Sequence, residues 1–271
     1  MNLKNLCVRT LSGAGFVFIM VTCLLLDKFL FAGLMLFIMV SMMSEFFKMT
    51  MGAEYRFSRL LAIFAGVTLF VLTFLYRGHI GNFPGRLVIL SFIPIFIFMI
   101  NSLYVRDKTD FGKFVPMTLT NFAVFNAEGQ YTGLLLLSFF IIVWSSDVGA
   151  YLFGVTLGQK FGKKLFPEIS PKKSWVGFWG GFAMSVLAAV VLHLTGALPE
   201  KYSLIHCVAM AVIMNISGVY GDLIESQWKR HYSLKDSGNM IPGHGGMMDR
   251  FDSALLAIPM GIIYLTVSNI L

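Results

Sequence analysis

Apolar residues run through this chain in blocks of 16 to 24 separated by short polar breaks, rather than in the alternating or 3.6-residue patterns of a soluble domain. A bilayer core of about 30 Å needs roughly 20 such residues per helix. Reading the blocks predicts nine spans, near 11–26, 29–44, 58–76, 86–105, 111–126, 133–156, 177–194, 203–224 and 251–270. The second is short, and the fifth carries Pro116, Thr118, Thr120 and Asn121. The expected fold is therefore all-α: one polytopic membrane domain over 1–271, with hydrophobic helices in 1–132 and the polar motifs confined to 133–271.

Composition agrees with that picture. Of 271 residues, 57% are hydrophobic and 13% charged, far from the roughly 45–50% and 25% of soluble domains. The formal charge of +7 does not call for nucleic acid, because membrane proteins gather Lys and Arg on cytoplasmic loops for reasons of insertion. With nine spans and a cytoplasmic N-terminus, 17 of the 21 basic residues fall on one side, a split that favours this topology. The stretch from Lys4 to Leu26 has the outline of a signal peptide but no small-x-small cleavage chemistry before Asp27, so a retained first helix is expected. Cys7, Cys23 and Cys207 form no CxxC pair and read as small hydrophobes.

Two inside segments, Gly158 to Val176 and Glu225 to Arg250, are long, basic and rich in Gly, Pro and Ser, and read as loops on the same side. Near them lie rare intramembrane acids, Asp147 in the sixth span and Asp222 at the end of the eighth. An ionised group at a span centre costs at least about 2.5–3.5 kcal/mol, so each needs a partner, a cavity or a function. On a helix, Asp222, Glu225 and Ser226 share a face, which Lys229 continues one turn on, and Asp249 and Asp252 share another. Carboxylates meeting at the cytoplasmic edge would make an all-oxygen site suited to Mg²⁺. The glycines of His244-Gly-Gly246 lead into the last helix, where backbone N–H groups and a positive dipole end would face an anion, with phosphate the natural ligand. Around it the sequence places Lys229, Arg230, Lys235 and Arg250, and, from the other loop, Lys172 and Lys173 in Ser170-Pro-Lys-Lys-Ser174. No HxxxH, HExxH, GxGxxG or Walker A pattern occurs.

These residues carry a resemblance. Ser226-x-x-Lys229-Arg230, Lys235-Asp236 and Pro242-Gly-His-Gly-Gly246-x-x-Asp249-Arg250-x-Asp252 resemble the signature of the CDP-diacylglycerol synthase (phosphatidate cytidylyltransferase) family. Ser146-Asp147-x-x-Ala150-Tyr151-x-x-Gly154 and Ser170-Pro-Lys-Lys-Ser174-x-x-Gly177 are similar to its second region. The match covers roughly 144–253 and departs at Val176, where the family usually carries Glu or Gln; the first 140 residues match only in hydrophobic pattern and yield no site residues. The resemblance implies an integral enzyme of the bacterial inner membrane, acting at the cytoplasmic face on CTP and phosphatidic acid. The products would be CDP-diacylglycerol and pyrophosphate, and a homodimer is the family expectation. It further implies Asp222 and Asp249 as principal ligands of Mg²⁺, with Ser226 nearby, Asp252 and Asp147 as weaker candidates, and a second cation bridging the acids as an alternative. Lys229, Arg250, Lys172, Lys173, Arg230, Lys235, Ser170, His244, Gly245 and Gly246 would hold the phosphates of both substrates. Two other classes compete: a secondary transporter, which would need matched broken helices in both halves, and a CTP-dependent enzyme of another lipid alcohol or phosphate.

Overall fold

A computed structural model describes residues 3–51, 55–82, 84, 87, 133–158, 163–199, 201–268 and 270. Among these, seven helices are long and apolar enough to cross a membrane: α1 (Leu3–Leu26), α2 (Lys28–Met51), α3 (Arg56–Arg77), α4 (Gly133–Phe153), α5 (Trp175–Leu194), α6 (Leu204–His231) and α7 (Met248–Val267). Each coincides with an expected span, and the chain is an all-α polytopic membrane protein. The spans expected at 86–105 and 111–126 lie outside the described residues.

The described residues group into two compact units. The first holds α1, α2, α3 and the segment Asp236–Arg250, so the glycine-rich half of the signature belongs with the N-terminal helices. Asp27 alone separates α1 from α2, and its Oδ2 accepts the amides of Phe29 (2.6 Å) and Leu30 (3.2 Å). This N-cap satisfies donors that the start of α2 leaves without helical partners. On α3 the buried positions Ser58, Ala62, Ala65, Gly66, Phe70 and Phe74 recur at helical spacing. Phe74 meets Phe29 edge-on, while Gly66 lies against the Met43 thioether. The second helix runs seven residues past its expected end at 44, and Glu45, just beyond that end, is solvated by hydrogen bonds within this unit instead of by water.

The second unit holds α4, α5, α6 and α7 from Phe251 onward. α4 ends in a π turn, Gly154–Gly158. The segment then forms an antiparallel hairpin, β1 (Lys164–Phe166) and β2 (Ser170–Ser174), where the sequence reads as loop. Such short strands carry too few residues to show a period of two. Helices α4 and α5 cross closely through small residues: a Cβ on Gly149 would lie 2.6 Å from the Gly180 carbonyl oxygen, and one on Gly181 2.9 Å from that of Ser146. Small-residue crossings are the usual means of packing helices in lipid. Ser174 caps α5, its hydroxyl accepting the Gly177 amide at 3.2 Å. α6 continues to His231, seven residues past its expected end at 224, so the first part of the expected Glu225–Arg250 loop is helix. Its last turn carries Lys229, Arg230 and His231, which complement the negative end of the helix dipole.

Candidate active site

In the second unit the helical spacing read from Asp222, Glu225, Ser226 and Lys229 is realised on α6. The Ser226 hydroxyl donates to Asp222 Oδ1 at 3.2 Å, and the hairpin delivers Lys173 Nζ to Asp222 Oδ2 at 2.5 Å. Both side chains of that pair keep about a quarter of their surface exposed, 26% and 29%, so this ion pair stays open to exchange with an incoming anion or cation. Because side chains alternate along a strand, Lys172 does not follow Lys173 onto the acid and is exposed. Ser170, at the start of β2, pairs in register with Phe166.

Lys229 is placed differently from the sequence expectation. It is buried, as is Glu225, and the two form an i,i+4 ion pair at 2.7 Å. Arg230 turns to the Leu234 carbonyl (3.0 Å) at the helix end and is exposed, as is Lys235.

Across from Asp222 stands α7, held near by Gly221, whose added Cβ would lie 2.5 Å from the Asp252 carbonyl oxygen. Asp252 is within electrostatic reach of Asp222, Glu225 and Asp147. Ser253, beside it, aims its hydroxyl at Asp147 Oδ1 at 3.5 Å, the outer limit of a hydrogen bond. Beneath, the Asn215 amide donates to the Ser146 hydroxyl at 2.6 Å, tying α6 to α4 at the level of Asp147.

Four carboxyl groups thus share one neighbourhood with two ammonium groups, Lys173 and Lys229. Among the described residues no three Asp, Glu, His or Cys side chains gather tightly enough to cage a metal by themselves. Mg²⁺ does not require a cage: it commonly keeps several waters and takes one or two carboxylates together with substrate phosphates. An open all-oxygen set centred on Asp222 fits that habit.

In the first unit, the signature's glycine-rich segment is ordered around carboxylates of the chain. Asp249 Oδ2 accepts the Gly246 amide (2.7 Å), the Ser237 amide (2.9 Å) and the Ser237 hydroxyl (3.1 Å). Gly243 and Gly245 adopt left-handed φ values of 74° and 84°, which side chains rarely tolerate. A Cβ on Gly245 would also sit 2.5 Å from Asp249 Oδ2. The Met247 and Met248 amides donate to Glu45, at 2.8 and 2.9 Å. The amides of this turn have partners within the chain: those of Gly246, Met247 and Met248 go to Asp249 and Glu45, and that of His244 goes to the Ile241 carbonyl. The anion favoured at the start of α7 is supplied from within.

His244 Nδ1 lies 2.9 Å from the Ser12 hydroxyl of α1. Its imidazole is held below the ordinary histidine range by burial, then by the Arg250 and Arg9 charges. Glu45, Ser12 and Arg9 thus meet the signature although the first 140 residues yielded no site residues from sequence. A single acid in an otherwise apolar helix was the available signal for Glu45.

The family model described as the cytidylyltransferase family matches residues 7–268. A protein of Bacillus subtilis (strain 168) named phosphatidate cytidylyltransferase is 45% identical over 119 residues, 44% of this chain and 42% of that protein. A Staphylococcus epidermidis protein of the same name is 41% identical over 134 residues, 49% of this chain and 50% of that one. One from Staphylococcus aureus (strain COL) is 40% identical over 139 residues, 51% of each. The matched stretch spans about half the length of these curated relatives. With the family model covering nearly the whole chain and the signature residues gathered as described, this chain belongs to the cytidylyltransferase family.

Proposed function

We propose that the chain transfers the cytidylyl group of CTP to phosphatidic acid, releasing pyrophosphate and forming CDP-diacylglycerol in a bacterial membrane, with its active site at the cytoplasmic face. The observation that carries this reading is the Asp222 centre, where a part-exposed carboxylate, a lysine from the hairpin and further acids adjoin on α6, nine residues before that helix ends. The names of the relatives support the substrates, and the 17-to-4 distribution of basic residues that nine spans would give supports the facing.

Two anionic substrates repel each other, so the site must above all neutralise and position. Asp222, with Ser226, Asp252 and Asp147 around it, would hold Mg²⁺, and Asp249 is put forward as a further ligand on the resemblance alone. When bound, the metal supplies Lewis-acid polarisation of the α-phosphate and charge balance for departing pyrophosphate. Lys173, paired with Asp222, would turn to a phosphate oxygen of the substrate. Arg250, Arg230, Lys172 and Lys235, exposed at the segment ends, hold the outer phosphates and the lipid headgroup. The lipid phosphate is already ionised near pH 7, so no carboxylate here has to act as a strong base.

The test uses purified protein in detergent with labelled CTP, phosphatidic acid and Mg²⁺, following label into lipid and pyrophosphate into water. Magnesium-dependent labelling that drops more than about 100-fold in Asp222→Asn and Asp249→Asn supports the reading. Wild-type rates in correctly folded variants refute the metal role, and no labelled lipid from the wild type refutes the reaction.

A further inference from the structure

The start of α7 poses a capping problem. The helix begins at Met248, which puts Met247 at the position where Ser, Thr, Asp or Asn ordinarily supplies an acceptor for the first free amides. Methionine has no oxygen to offer. The acceptor comes instead from α2. Glu45, 8% exposed, places Oε1 on the Met247 amide (2.8 Å) and Oε2 on the Met248 amide (2.9 Å) and the Ser237 hydroxyl (2.9 Å).

The socket is built for a carboxylate. A Cβ on Gly238 would stand 2.8 Å from Glu45 Oε1, and a Cβ on Gly246 would collide with Glu45 Oε2 and the Ser237 hydroxyl. Two glycines, one on each side, therefore let the backbone close on Glu45. Ser237 has a single hydroxyl proton, within reach of both Glu45 Oε2 and Asp249 Oδ2, so one hydroxyl links the two carboxylates. Four backbone amides, of Ser237, Gly246, Met247 and Met248, complete their solvation.

We infer that Glu45 is a positioning residue for the cytidylyl transfer: through the Met247 and Met248 amides and Ser237 it fixes the first turn of α7, and with it the direction in which Asp249 and Arg250 leave the backbone. The inference rests on the reaction proposed above, but the anchoring can be measured without it. Its charge is spent on the chain's own amides, so Glu45 acts through Asp249 and Arg250 and does not meet the substrates.

Glu45→Gln keeps shape and size but turns one acceptor oxygen into a donor that faces an amide N–H. Hydrogen–deuterium exchange of peptides covering 237–249 should speed up at least about tenfold, with peptides of α4 and α5 unchanged. In the same preparation kcat should fall roughly 10–100-fold, the range for residues that orient a first ligand, with KM for CTP shifting less than about threefold. Ser237→Ala, which removes one link and leaves both carboxylates, should show a smaller change in the same peptides, and it reads the anchor even where Glu45→Gln does not fold. Unaltered exchange in these variants, with wild-type turnover, overturns the inference and leaves the reaction standing. Faster exchange in a protein whose wild type makes no labelled lipid overturns the reaction and leaves the anchor standing.

Discussion

Replacing Gly221 by Ala tests whether the close approach of α6 and α7 sets the geometry around Asp222. The new methyl would lie 2.5 Å from the Asp252 carbonyl oxygen, and real Cβ contacts begin near 3.0–3.4 Å, so the two helices must part by about 0.5–0.9 Å there. The obstacle is backbone, which cannot swing aside as a flexible side chain would. Overpacking of this kind costs about 1–3 kcal/mol, and a reacting group displaced by about 1 Å loses about 100-fold in rate. Asp222 is the next residue on α6, so a loss of roughly 10–100-fold in CTP-dependent lipid labelling is expected, with a lowered thermal midpoint in detergent. Gly218, one turn earlier, is the internal control. Its Cβ would stand 3.5–3.6 Å from Ala257 and Ser253, ordinary contact, and alanine is the better helix former by up to about 1 kcal/mol. Gly218→Ala should keep the wild-type rate, with the midpoint unchanged or raised. Equal behaviour of the two variants, or full activity in a folded Gly221→Ala, refutes the argument that this crossing sets the geometry around Asp222.

Three further outcomes are expected. Lys229→Met strands the buried Glu225 carboxylate and should cost about 3–5 kcal/mol in denaturation; adding Glu225→Leu should restore stability, and turnover that stays low in the restored double variant assigns Lys229 a part in substrate handling beyond packing. The depressed His244 value means the unfolded chain takes up its proton before the folded one, so this group's contribution to stability is complete above about pH 6.5 and declines as pH falls below it. Midpoints measured from pH 8 to 5 should show a slope that His244→Asn reduces. Ser174→Ala removes the cap of α5, at a cost of about 1 kcal/mol, and loosens β2 beside Lys173, so a rise in KM for CTP should accompany a small drop in midpoint.

What could be read from the sequence is what repeats locally. A run of twenty apolar residues is sufficient cause for a membrane helix, so all seven described helices fall on expected spans. The Asp222, Glu225, Ser226, Lys229 face needs only the helical period and is legible although hydropathy ends the span at 224. The same spacing could not say that Lys229 would be consumed by Glu225, because an i,i+4 pair and a phosphate ligand have one pattern. Partner choice over long separations left still less trace. Lys173 finds Asp222 only because a three-residue strand pairs with a five-residue one to turn the chain back.

Glu45 makes the physical reason plainest. By hydropathy it marks the end of a span, and water at the membrane edge would satisfy it. It is instead solvated by amides about 200 residues later in the chain, and those amides need an anion because Met247 cannot cap. The start of α7 wants a negative charge, and Glu45 and Asp249 supply one. Helix-terminus logic specifies a negative group, and only the folded chain decides whether it is substrate or side chain. With those amides donated to Glu45 and Asp249, the proposed function leaves the substrate phosphates to cations such as Lys173. That division of labour predicts that basic-residue variants such as Lys173→Ala will weaken CTP binding more than changes to the glycine-rich turn.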